Sequence, residues 1–107
     1  MTILEEKKDA IETLCQAFQV VRLDAFGAIT EEGFDPSKDQ VMFAVTFAPC
    51  NPQVHYERFF GLQQGLEVLV GGSIELIDYK ALLEGSFLRH LPKQCETVYR
   101  GSSPEKT

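Results

Sequence analysis

The side chains of this sequence with chemical potential are few and widely spaced. The three cysteines, Cys15, Cys50 and Cys95, form no C-x-x-C pair. A disulfide framework or a zinc site would need closer or paired spacing, so they read as reduced thiols. His55 and His90 lie far apart, with no carboxylate at a telling spacing to orient either as a base. Cys50 sits beside two prolines with no base nearby to activate it. What remains lies on strands. In the segment QVMFAVTF, side chains alternate between faces. Val41, Phe43, Val45 and Phe47 share one wholly apolar face, which belongs to a core. Gln40, Met42, Ala44 and Thr46 share the other, which is free to line a cleft. In SIELID, Ile74 and Leu76 turn inward, while Glu75 and Ile77 point to the opposite side. The plain reading of Glu75 is a solvent-facing strand residue.

The elements that must position these residues alternate in type. Residues 2–18 read as a helix, with Thr2 and Glu5 in capping-box spacing and Leu4, Ile11, Leu14, Cys15 and Phe18 on one stripe. VVRLDAF, residues 20–26, reads as a strand ending at Gly27, and AITEEG as a turn or helical stretch. Asp35, Pro36, Ser37 and Lys38 form a turn before the strand from Gln40 to Phe47. Residues 54–70 return to helical periodicity and Gly71-Gly72 stops them. Tyr56, Phe59, Phe60 and Leu62 read as core residues of that helix, yet there are more apolar positions than one stripe needs, so part of the face is a candidate protein contact. Residues 73–78 form a third strand, 79–83 a short helical turn, and 87–95 a last helix that Pro92 kinks or ends. This order predicts an α+β fold of the α/β type, a small mixed sheet of three to four strands with helices packed on it.

Length and composition bound the rest. The chain has 107 residues, 44% hydrophobic and 24% charged. That composition fits one globular domain, read here as residues 1–100 followed by a polar tail, 101–107. A core of this size is marginal, so a partner chain or oligomerisation would help bury apolar surface. The net charge of −6 makes a poor nucleic-acid binder and disfavours an anionic membrane surface. No secretory leader is expected where Met1 runs straight into Glu5, Glu6, Lys7 and Lys8, and no apolar run approaches the roughly 20 residues a membrane span needs. With free thiols this predicts a cytoplasmic protein.

The segment order and local sequences resemble a minimal nucleotidyltransferase domain of the DNA polymerase β-like superfamily. RLDAFGAITEEGFDP stands where that family has a Gly-Ser element opening a short helix, and SKDQVMFAVTFAP where it has an Asp-x-Asp strand. HYERFFGLQQGLEVLVGGSIELIDYKAL resembles its helix and third strand, and FLRHLPKQCETVY its terminal helix. The resemblance spans residues 3–100. It implies metal-assisted nucleotidyl transfer, in which paired carboxylates at i and i+2 hold two divalent ions against the nucleotide phosphates. Residue by residue the signature is mostly gone. Gly27 keeps the glycine, but Ala28 replaces the serine. The aspartate positions fall on Gln40 and Met42, whose amide and thioether suit magnesium poorly, and only Glu75 retains a carboxylate. A one-residue shift offers Asp39, whose i+2 neighbour is Val41, so no pair forms.

These residues imply a degenerate domain without catalysis or a required cofactor, acting through protein association. The resemblance adds a small helical partner in a two-component or toxin–antitoxin pair, with a homo-oligomer as the other form of association. The alternative is an active transferase or nucleotide-binding module that uses Glu75 with Asp39 or Asp78 and takes magnesium and ATP.

Overall fold

The computed structural model describes residues 2–35, 37–79 and 95–101. Its elements are α1 (Ile3–Glu6), α2 (Lys8–Ala17), β1 (Val20–Phe26), a 3-10 turn (Ala28–Thr30), β2 (Met42–Phe47), α3 (Pro52–Val70), β3 (Glu75–Asp78) and β4 (Cys95–Arg100). The sheet order is β3-β2-β1-β4, with β1 antiparallel to both β2 and β4, and β2 parallel to β3. A parallel pair needs a crossover, and α3 supplies it. The result is the expected α+β fold with a mixed sheet.

The capping box forms as its spacing predicts: the Glu5 N–H donates to Thr2 Oγ1 at 3.3 Å and the Thr2 N–H to Glu5 Oε1 at 2.9 Å. The single helix expected over 2–18 is divided at Lys7 (φ −101°, ψ 11°). Helical hydrogen bonds still run through the joint, from Lys7 N–H to Ile3 O at 2.9 Å and Ile11 N–H to Lys7 O at 2.8 Å. α3 starts earlier than its apolar pattern indicates, because Asn51 caps Val54 N–H at 2.9 Å and Pro52 sits in the first turn, where its missing N–H costs nothing. Gly71, at φ 84°, closes it in the left-handed conformation.

One face of the sheet carries the main core. Leu23, Ala25, Val41, Phe43, Val45, Phe47 and Leu76 pack there with Ile11 and Cys15 of α2 and with Leu62, Leu66 and Val70 of α3. The apolar parity of β2 is therefore realised. α3 lies close against α2 because Gly61 and Gly65 face Phe18 and Leu14. A methyl group added at either glycine would come within 2.6 Å or less of those side chains. The opposite face carries a smaller cluster, Phe26, Ala44 and Ile77, with Met42 and Tyr79 packed beside it. Ala44, a cleft position by strand parity, is instead fully buried in that cluster.

The chain's end corrects one expectation. The helix read over 87–95 ends on Cys95, which begins a strand; residues 87–94 lie outside the described residues, as do 80–83 of the short turn and 102–107 of the tail. Thr97, Val98 and Tyr99 favour extended backbone, and β1 offers its free edge: Ala25 pairs with Glu96 and Phe26 with Cys95.

Candidate functional site

Three strand ends meet beside Gly27. Phe26 closes β1, Met42 opens β2 and Glu75 opens β3. Phe26 pairs with Met42 across the antiparallel ladder, and Met42 with Glu75 across the parallel one. Around them is a pocket of about 230 Å³ lined by Phe26, Gln40, Val41, Met42, Ser73, Ile74 and Glu75. The three residues singled out from the sequence, Gln40, Met42 and Glu75, thus meet at one place. Gln40 and Glu75 are exposed and Met42 is half-buried.

The turn at the pocket's edge has its own cause. Gly27 adopts φ 92° and ψ −154°, a region essentially restricted to glycine. Its carbonyl accepts from Thr30 N–H at 3.0 Å and Thr30 Oγ1 at 2.8 Å, which winds the 3-10 turn that Ala28 opens. The geometry therefore requires glycine at 27 with or without a phosphate to cradle. Ala28 brings no hydroxyl to the turn.

The donor set does not fit a pair of divalent ions. Magnesium wants several anionic oxygens, and this pocket offers one carboxylate, one amide and one hydroxyl among apolar walls. Among the described residues, no group of three His, Cys, Asp or Glu side chains is placed to hold a metal. The carboxylates named with Glu75 in the alternative stand elsewhere. Asp39 Oδ2 accepts from Asp35 N–H at 2.9 Å, while Asp35 Oδ1 accepts from Ser37 N–H and Oγ, so both acids serve the turn before β2. Asp78 is three residues from Glu75 along β3 and so projects to the other face. It pairs with His55 instead, Nε2 to Oδ2 at 2.8 Å.

That pair, and one other, carry no signature in the linear sequence strong enough to announce them. His55, a surface or capping residue by its sequence context, lies in the first turns of α3, edge-on to Phe47 with ring centroids 5.2 Å apart. Only the parallel pairing of β2 and β3 brings the 23-residue separation to contact. On β1, Arg22 Nε lies 3.2 Å from Asp24 Oδ1 and 3.1 Å from Oδ2. Asp24 is 1% exposed, and the Arg22 guanidinium lies 5.3 Å from the Tyr79 ring centre. The hydrogen bond to Asp24 pushes the Arg22 pKa up, while burial chiefly raises that of Cys95 nearby. The signal was present, since residues at i and i+2 on a strand share a face. His90 lies outside the described residues.

No protein-family profile matches the sequence, and no curated protein matches it. Solved structures do. A structure described as a minimal nucleotidyltransferase superposes with a TM-score of 0.58 at 23% identity, over 84% of this chain and 88% of its own. A chain of the MntA–HpeT toxin–antitoxin complex, in a mutant form, gives 0.56 at 16% identity, over 89% and 74%. A chain of the tri-AMPylated Shewanella oneidensis HEPN toxin in complex with the MNT antitoxin gives 0.54 at 16% identity, over 92% and 73%. The chain has the minimal nucleotidyltransferase fold. At these identities the likeness is one of fold.

Proposed function

We propose, starting from that fold, that this chain is a degenerate, non-catalytic nucleotidyltransferase-like domain that works by associating with another protein, as the antitoxin-like member of a two-component pair. One observation carries the reading. The pocket at the joined ends of β1, β2 and β3 holds Gln40 and Met42 beside Glu75, so a single carboxylate stands where metal-assisted transfer needs several. Aspartates at those two positions would supply anionic oxygens to bridge ions; an amide and a thioether do not.

The partner reading draws on two further facts. Among the structures of like fold, some were solved as toxin–antitoxin complexes. In this chain, Tyr56, Phe60 and Val68 are exposed on α3. No described helix is long and apolar enough to cross a membrane, and Cys15, Cys50 and Cys95 are free thiols, which suits a reducing cytoplasm. The test is the mass of the tagged protein purified gently from its source cell. A stable complex with a second, small helical protein is the expected result. A homo-oligomer would keep association but remove the two-component role, and a lone monomer would contradict the proposal.

A further inference from the structure

Past Pro52, the exposed residues of α3 gather on one side. At about 100° per residue, Gln53, Tyr56, Glu57, Phe60, Gln64 and Val68 fall within an arc of about 120°, and all are exposed. Tyr56 is 65%, Phe60 44% and Val68 81% exposed. The Tyr56 and Phe60 rings pack on each other, centroids 4.6 Å apart and tilted by 53°, and so present a preformed aromatic pair. α3 cannot roll to bury them, because Leu62, Leu66 and Val70 are fixed in the core and Gly61 and Gly65 are tight against α2. An open depression bordered by Gln64, Glu67, Val68, Gly72 and Ser73 continues the face past Val68. Large apolar side chains concentrated on one helix face mark an interaction surface.

Charge selects the occupant. Glu57 and Glu67 fall in this arc, with no Lys, Arg or His; Arg58 and His55 project from other sides of the helix. Glu67 is half-buried and accepts from Ile74 N–H at 3.3 Å, which fixes its carboxylate at the face's edge. A second copy of the chain would set two glutamates against two more across one apolar seam, and facing like charges oppose association. We propose that the outer face of α3 docks an amphipathic helix of a partner protein, its apolar anchors seated on Tyr56, Phe60 and Val68 and its flanks carrying Lys or Arg opposite Glu57 and Glu67. This rests on the reading that the domain works by protein association, and it names the surface.

The test uses the full chain, tagged in its source cell, as wild type, as Tyr56→Ser/Phe60→Ser/Val68→Ser and as Glu57→Lys, with a photo-crosslinking residue at position 64. Unchanged thermal unfolding of the variants would establish that they fold. The expected result is a partner held by the wild type, with retention falling at least about tenfold in the triple variant, as loss of aromatic anchors would cause, and falling also in Glu57→Lys. The crosslink should map to a partner helix with basic residues beside its apolar stripe. Equal retention by wild type and triple variant would overturn the surface while leaving protein association standing. So would a crosslink to an acidic segment or to a second copy. If no form of the chain retains a partner, association itself fails, and this proposal with it.

Discussion

Replacing Met42 with aspartate would put a second carboxylate beside Glu75, and the structure sets the scale of the effect. The two residues are register partners on adjacent parallel strands, about 4.8 Å apart. Two like charges at about 5 Å repel by about 1 kcal/mol in water-like surroundings and about 3 kcal/mol at an effective dielectric of 20. Glu75 is exposed, which favours the lower figure. Met42 also packs against the Phe26, Ala44 and Ile77 cluster, and losing that contact adds about 2 kcal/mol. Met42→Asp should therefore lower stability by about 3 kcal/mol in the absence of divalent ions. Manganese at a hundredfold excess over its Kd would return about 2.7 kcal/mol by binding only the folded state. For a domain of this size that is an upward shift of roughly 10 °C or more. The assay is thermal unfolding followed by circular dichroism, with and without manganese, for wild type, Met42→Asp and Met42→Asp/Glu75→Gln. Only the single variant should gain. A wild type stabilised equally by manganese, or a single variant indifferent to it, would refute the placement of these side chains and the donor-set reasoning built on it.

Three further outcomes follow from the geometry. Arg22→Met leaves the Asp24 carboxylate buried without its ion partner and should cost about 3 kcal/mol, whereas Arg22→Met/Asp24→Leu should recover most of it in urea unfolding; a double variant no better than the single would deny the coupling. Gly27→Ala forces a side chain into φ 92° and ψ −154° and should cost about 1–3 kcal/mol, visible as a lower urea midpoint; an unchanged midpoint would mean the turn is not held there. Burial first, and Glu12 second, push the Cys15 thiol from 9.0 up to about 12. Because the folded state holds this proton more tightly, its stabilisation is complete below about pH 9 and is lost as pH rises towards 12. The wild type should thus lose stability across that window more steeply than Cys15→Ala, and parallel curves would show that Cys15 contributes nothing there.

The sequence revealed those parts of the fold that depend on local pattern. Val41, Phe43, Val45 and Phe47 recur at the two-residue period of a strand with one face in the core, and Thr2 with Glu5 states a helix start outright. The meeting of Gln40, Met42 and Glu75 was also legible, through the resemblance that aligned two strands distant in the chain. What could not be read depends on pairing. Thr97, Val98 and Tyr99 favour a strand locally, but only the edge of β1 extends it back to Cys95 and Glu96. His55 and Asp78 become neighbours only once α3 carries the chain back parallel to β2. Ala44 fits a cleft by parity, yet Phe26 and Ile77 close over it from the adjoining strands. The aromatic residues of α3 were too many for one stripe, but which of them face outward was settled by the glycines that press the helix on α2.

The most direct measurement is calorimetric titration of the purified chain with magnesium-ATP at millimolar concentrations, repeated with Glu75→Ala. A non-catalytic domain that lacks the aspartate pair predicts no heat of binding beyond dilution in either protein. Saturable heat in the wild type that vanishes with Glu75→Ala would contradict it, and would place a working nucleotide site at the pocket formed by Gln40, Met42 and Glu75.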